Sequence, residues 1–379
     1  MLCKLFDYCK KRGYKWMLFI DKDFPAFDKN AGNFITMEYL KVFLDLGYKI
    51  VYWSHEERYR AYAEKLEQMG MSVNDESQNF NEFIKRNGKY LDLAVISRPN
   101  IAEYYLPLVK KFSMTKIFYL PQDLHFLRES RWSKISGDEN MNRKSEITKK
   151  LEISLMRQCE ATLFFSGEEV QIVNALDRKI KTVVIPWIQP IPNGQQQIAF
   201  NDREGLLFLG GFSHEPNIDG VFWFYKEILP VIKKTIPKIK IIILGSNMPS
   251  EILNLDSDNF KVIGFVEEEK LPDYFNSAKV FLAPLRYGAG FKGKIARAMA
   301  FGLPVVTTSI GAEGIGLINR ENGMITDDSE EFAKKVIELH KNRDIWDKIS
   351  KNSLDYVSKN FSAENARNKI ASLQNELGI

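Results

Sequence analysis

The 379 residues, 45% hydrophobic and 27% charged, suit a soluble globular chain of two ordinary domains better than a single core. A net charge of +4, with no basic block carrying interleaved aromatics, argues against nucleic acid as a partner. Apolar runs stop short of the roughly 18 residues of a membrane span, and Cys3, Cys9 and Cys159 show no metal-ligand spacing, which points to a reducing compartment.

The first sixteen residues, MLCKLFDYCKKRGYKW, lack the apolar core and cleavage site of a signal peptide. Leu2, Leu5, Phe6 and Cys9 with Lys4, Lys10, Lys11 and Arg12 outline a short basic amphipathic helix, read as a surface helix, with a membrane-surface patch as the alternative. The expected location is cytoplasmic, with peripheral contact at the inner membrane face as the further option. Residues 16–20 read as a strand, followed by a polar loop over 21–33. Tyr39, Leu40, Phe43 and Leu44 give residues 36–46 a helical period, closed by Gly47. Strands are expected at 49–53, 91–96, 116–120, 161–165 and 181–185, and helices at 58–69, 80–87 and 145–159. Residues 186–202 hold three prolines, a glycine and a glutamine run and read as an interdomain linker.

Alternation then resumes. Strands are expected at 205–209, 239–244, 259–263 and 280–285, and helices at 219–235 and 268–278. Val305 and Val306 restart a strand after a glycine turn and a short helix that Gly302 and Pro304 end. Residues 323–325 are short and extended. Ser329 is expected to cap a helix over 329–342, and helices at 345–359 and 363–377 follow. Strand and helix alternating in this way predict parallel sheets with helices on both faces, in two doubly wound units facing across a cleft. Ligands of such sheets sit at the carboxyl ends of the strands, so the strand-to-helix loops are the places to look.

Two loops of the second half favour anions. In YGAGFKGK, 287–294, Gly288, Gly290 and Gly293 precede a helix, and Lys292 and Lys294 stand at its N-terminus, where unpaired N–H groups and the helix dipole converge. GGFSHEPN, 210–217, is the second, with His214 inside it. Together they could hold a diphosphate, and lysines there would stabilise a leaving group that gains charge. The alternative is an ordinary connection with solvated lysines. In the first half, PQDLHFLRESR clusters Asp123, His125, Arg128 and Arg131. Asp123 could orient His125 to take a proton from a hydroxyl; the alternative is a capping aspartate beside a structural histidine. His55 could line the cleft, and His340 reads as a surface residue. No HExxH, GxSxG or CxxC pattern and no glycosidase-like carboxylate pair occurs, which argues against common hydrolases.

PLRYGAGFKGKIARAMAFGLPVVTTSIGAEGIGL (284–317), GGFSHEPNIDGVFWFYKEILP (210–230), DLHFLRESR (123–131) and IDKDFPAFDKNAG (20–32), in this order, resemble retaining GT-B glycosyltransferases of the group 1 class, glycosyltransferase family four, over about residues 17–362. The resemblance implies an N-terminal acceptor-side domain over 1–190 and a C-terminal nucleotide-sugar domain over 191–362, both Rossmann-like. It also implies a final helix, 363–379, packing back on the first domain. It implies transfer from a nucleotide-diphosphate sugar to a glycan or lipid-linked acceptor in surface polysaccharide synthesis, with retention, no cofactor and no metal. Gly211, His214 and Asn217 would approach the donor phosphates, with Gly290, Lys292 and Lys294 as the opposing turn and Arg286 beside them. Gly32 and Asn33 would face the sugar or diphosphate, and Asp123, His125 and Arg128 the acceptor. Asp123, His125 and Lys292 are the expected catalytic residues. One departure stands out. The glutamate that family members carry on the helix after the glycine turn, to bind the ribose, is Arg297 here, and an earlier one is Ala289. An arginine donates and cannot accept. Donor binding is therefore either altered, with Arg297 meeting a phosphate, or lost. The second case makes the chain a non-catalytic carbohydrate-binding or partner subunit, and a GT-B-type epimerase is a further alternative.

Overall fold

The computed structural model describes residues 13–56, 59–75, 77–192 and 198–379. The amphipathic helix expected at the N-terminus, with Cys3 and Cys9, lies outside them. Among the described residues no helix is long and apolar enough to cross a membrane. The chain forms two compact units, one running to Pro186 and taking back Ala363–Ile379, the other spanning Trp187–Ser362.

The first unit is built on seven parallel strands: β1 Lys15–Asp21, β2 Tyr48–Ser54, β3 Ser72–Val73, β4 Leu93–Ser97, β5 Lys116–Leu120, β6 Ala161–Phe164 and β7 Thr182–Val184. Their order is 3-2-1-4-5-6-7. The central strands are continuous apolar runs because helices cover both faces; β1 is buried from Trp16 to Asp21. The last helix, Ala363–Leu377, packs on the helix Ala31–Asp45, and Gln374 Nε2 donates to Tyr48 OH at 3.0 Å.

The second unit repeats the scheme with β8 Leu206–Leu209, β9 Ile241–Leu244, β10 Phe260–Gly264, β11 Val280–Ala283, β12 Val305–Thr307 and β13 Met324–Ile325, ordered 10-9-8-11-12-13. In each sheet the unit's first strand lies inside, and the chain builds outward from it in both directions. The gap between β1 and β4, and that between β8 and β11, is the switch point where ligands of doubly wound sheets bind.

Several elements depart from the sequence reading. Among the described residues three helices of ten residues or more went unread, Pro99–Phe112, His125–Ser136 and Gly167–Leu176, as did the four-residue helices Ser250–Leu253 and Ser309–Ala312. The helix expected at 58–69 is a 3₁₀ turn, Arg60–Tyr62, followed by Ala63–Gln68. The helix placed at 145–159 is Glu139–Met156, begun by the Asp138 carboxylate accepting from Asn140 and Met141 amides. The helix placed at 219–235 starts at Glu215 and passes through a π turn, Phe224–Ile228, just before Pro230, which has no N–H to give the ladder. Asp328, not Ser329, caps the helix Ser329–Lys341, its carboxylate accepting from Glu331 N at 2.8 Å. The start of the 186–202 segment is no loose connector, since Trp187 and Ile188 are buried and the Trp187 ring stacks on Phe291 at 4.6 Å.

One buried arginine ties the second unit together. Arg203 donates to the carbonyls of Ile198, Phe275, Ala278 and Phe301 at 2.7–3.3 Å and lies over the Trp346 ring. Burial lowers its pKa to about 10. Arg203→Met keeps the packing but strips several buried carbonyls of donors, so we expect it to cost about 3 kcal/mol, roughly 10 °C in a calorimetric melt. A loss below about 1 kcal/mol would refute that linking role.

Candidate functional site

At the switch point of the second sheet the two neighbouring strands β8 and β11 end in the two glycine turns. Gly210 has no room for a side chain, since a Cβ would sit 2.8 Å from Asn217 Cγ. Gly288 and Gly290 take φ of 145° and 70°, which the other turn needs to fold back on itself. Two helices start from these turns: Glu215–Trp223, with His214 at its N-cap, and Gly293–Ala300, with Lys292 at its N-cap. Neither N-cap residue makes a side-chain capping bond, and the first turn of Gly293–Ala300 contains no acidic residue. The N–H groups of such a terminus have no intrahelical acceptor.

Asn217 joins the two turns. Its Nδ2 donates to Gly211 O at 2.7 Å, its backbone N–H donates to His214 O at 2.9 Å, and its Oδ1 accepts from Lys294 Nζ at 2.5 Å. The Lys294 ammonium also lies 4.6 Å over the Phe208 ring. Burial, then the nearby charge of Lys292, pushes the Lys294 pKa down to about 7, although the residue as a whole retains some exposure. Lys292 is 8% exposed, and its Nζ donates to Gly290 O at 2.6 Å. Two lysine amines are thus gathered at one helix start, and charging both of them costs free energy unless an anion joins them.

Two arginines carried as donor-binding candidates are held by carboxylates. Arg286 makes a bidentate pair with Asp219 of the helix Glu215–Trp223, Nε donating to Oδ2 at 2.9 Å and Nη2 to Oδ1. Arg297 donates from Nη1 and Nη2 to the two oxygens of Glu268 at 3.0 and 2.6 Å. A carboxylate therefore does stand beside the glycine-turn helix, brought from the loop after β10.

In the first unit the DLHFLRESR stretch starts a helix, with Leu124 at the N-cap and without a side-chain capping bond from that residue. Asp123 is not the cap. Its Oδ1 accepts from His125 Nε2 at 3.0 Å, and its Oδ2 accepts from Arg128 Nη1. With Nε2 donating, a neutral His125 has Nδ1 as its basic nitrogen. The amides that open the helix are taken by two buried carboxylates that sequence reasoning missed. Glu169 Oε1 accepts from Leu124 N at 2.8 Å, and Glu152 accepts from His125 N and Phe126 N, both at 3.1 Å. Burial raises the Glu152 pKa to about 7, against the lowering effect of His125 and the two amides. Gly32 and Asn33 open the helix Ala31–Asp45, where Asn30 Oδ1 accepts from Asn33 N at 2.8 Å. His55 is drawn into an aromatic cluster, with Nδ1 3.0 Å from Tyr105 OH.

Residues 203–342 match the family model described as Glycosyl transferases group 1. Over 216 residues the chain is 28% identical to an uncharacterized 44.6 kDa protein in the cps region of Klebsiella pneumoniae, covering 55% of this chain and 54% of that protein. Over 115 residues it is 32% identical to the lipopolysaccharide core biosynthesis mannosyltransferase LpsB of Rhizobium meliloti, covering 29% of this chain and 32% of that protein. These alignments span about half or less of the curated relatives' lengths. Among solved structures, sucrose-phosphate synthase from Thermosynechococcus elongatus superposes with a TM-score of 0.74 at 17% identity, over 96% of this chain and 99% of that one. Anabaena HepE in complex with UDP-glucose gives 0.69 at 14%, over 96% and 100%. The fold is GT-B, and the match to the group 1 glycosyl transferase model falls within the second unit.

Proposed function

From a GT-B fold with the group 1 glycosyl transferase match in its second unit, we propose that this chain is a retaining glycosyltransferase. It moves a sugar from a nucleotide diphosphate to a saccharide or lipid-linked acceptor in the building of a surface polysaccharide. The observation that carries the reading is the pair of clustered lysine amines, Lys292 and Lys294, at a helix start without a side-chain cap. The names of the relatives, a cps-region protein and a lipopolysaccharide mannosyltransferase, support the polysaccharide context.

In this reading the second unit holds the donor. As the bond from the anomeric carbon to the phosphate oxygen breaks, its electron pair stays on the diphosphate. Lys292, Lys294 and the N–H groups that open Gly293–Ala300 stabilise that growing charge. They supply the counter-charge without a metal ion. The first unit engages the acceptor. Its hydroxyl oxygen bonds to the anomeric carbon on the face the diphosphate leaves, and its proton passes to His125 Nδ1, with Asp123 holding the imidazolium that forms. Arg286 acts indirectly, holding the helix Glu215–Trp223 to the glycine turn through Asp219.

Titration calorimetry with UDP, GDP, ADP and TDP tests the donor site, UDP first because the Anabaena neighbour is complexed with UDP-glucose. No binding by any of the four would sink the reading. The lowered Lys294 pKa adds a signed expectation. Above pH 7 the free amine is mostly neutral, and a bound diphosphate favours its charged form. Binding should therefore take up close to one proton near pH 8 and almost none near pH 6, seen as a buffer-dependent enthalpy. Lys294→Met should abolish the uptake; uptake unchanged in that variant would refute the assignment.

A further inference from the structure

The first sheet has a charged fork at its own switch point. β1 ends on Asp21, which is 2% exposed, and β4 hands over to Arg98. Asp21 Oδ1 accepts from Arg98 Nε at 2.8 Å, and this carboxylate holds the guanidinium firmly charged. Only that edge is engaged. Among the described residues the two terminal nitrogens of Arg98 have no hydrogen-bond partner, and the side chain is a quarter exposed. A planar group clamped on one edge presents its remaining donors in a fixed geometry suited to a pair of oxygens.

Gly32, with no side chain of its own, lies against this fork. A Cβ on Gly32 would lie 3.5 Å from Arg98 Nη2 and 3.7 Å from Gln122 Oε1. Gln122 Nε2 donates to Ser97 Oγ at 3.1 Å and Thr36 Oγ1 at 3.4 Å, which leaves Oε1 as an acceptor on the Gly32 side. Arg98 and Gln122 are both non-glycine residues with positive φ, 71° and 73°, at the ends of adjacent strands. Several donors with one acceptor beside them suit an oxyanion that has a hydroxyl neighbour. A sugar phosphate or a uronic acid has both.

We propose that Arg98 and Gln122 form an oxyanion subsite of the first unit, and that the acceptor carries a phosphate or carboxylate on or next to its sugar. The subsite follows from the first unit alone; its assignment to the acceptor rests on the transferase reading. The test uses the full chain with Lys292→Gln and Lys294→Gln, which removes the ammonium groups of the second unit. Glucose 1-phosphate, glucuronate and glucose are titrated into it by calorimetry or ligand-observed NMR. At least one of the two acids should bind at least tenfold more tightly than glucose. Adding Asp21→Asn with Arg98→Gln, which leaves no buried carboxylate unpaired, should remove that preference. Equal binding of glucose, no binding of either acid below about 50 mM, or a preference that survives the added pair overturns the proposal. Should that pair not fold, Arg98→Lys keeps a partner for Asp21, and a loss of less than fivefold would overturn it as well. UDP titrated into Arg98→Lys without the lysine changes identifies the source. Unchanged UDP affinity supports the acceptor, whereas a loss equal to that of the acids places the oxyanion on the donor and overturns the acceptor assignment. Failure of the wild-type chain to bind any nucleotide would sink the transferase reading and leave the subsite result standing.

Discussion

Replacing Lys292 with alanine should lower transfer by about two to three orders of magnitude while moving the melting temperature by a few degrees at most. The asymmetry follows from what the ammonium does before and after substrate arrives. In the free protein it donates to a backbone carbonyl, Gly290 O, and it sits close enough to Lys294 to lower that residue's pKa. Removing it deletes the hydrogen bond to Gly290 O, worth about 1 kcal/mol, and relieves the repulsion it exerts on Lys294, which has the opposite sign. Stability should therefore change little. During transfer, negative charge accumulates on the departing diphosphate, and a buried cation there is worth far more than in water. The loss should fall mainly on kcat, because the interaction strengthens as the bond breaks. Steady-state rates with the donor found by titration, alongside calorimetric melts, decide the matter. A melting shift large enough to account for the lost activity would refute a catalytic role for Lys292.

Much of this site was legible because it is local in sequence. Gly288, Gly290, Lys292 and Lys294 lie within seven positions, and a glycine turn opening a helix carries its own meaning. The central strands were legible for a similar reason, since burial on both faces writes them as unbroken apolar runs. Pro99–Phe112 was hidden by its internal Pro107, which reads as a breaker, and His125–Ser136 by a polar surface with few apolar positions. Gly167–Leu176 did carry a start signal, Ser166 three residues before Glu169, and the Ser166 hydroxyl accepts from Glu169 N at 3.5 Å. What could not be read is the pairing of distant residues. Asp21 meets Arg98, and Asn217 meets Lys294, each across 77 positions, while Arg297 meets Glu268 across 29. Those encounters are set by which strands lie side by side, and one chain's spacing does not encode that.

The Arg297–Glu268 pair yields the second large effect. We expect Arg297→Glu to weaken nucleotide binding by roughly 30- to 100-fold, and Arg297→Glu with Glu268→Arg to recover most of it. The resemblance puts a ribose-binding carboxylate on the helix after the glycine turn, and arginine at that position looks like a loss of function. The geometry offers another account. Both terminal nitrogens of Arg297 grip Glu268, and Glu268 is more exposed than Arg297, 37% against 16%, so the carboxylate is the more accessible partner. Glu268 can accept from a ribose diol while Arg297 holds it in place. Arg297→Glu alone would set two carboxylates against each other and release the loop after β10. The reversed pair restores the contact and returns a carboxylate to the helix. Affinities of the wild type, Arg297→Glu, Glu268→Arg and the variant carrying both form a double-mutant cycle whose coupling should be at least about 1.5 kcal/mol. A coupling near zero would mean that the pair is a surface ion pair with no part in the ribose site. Wild-type protein that binds no nucleotide, with binding gained by Arg297→Glu alone, would instead favour the non-catalytic subunit.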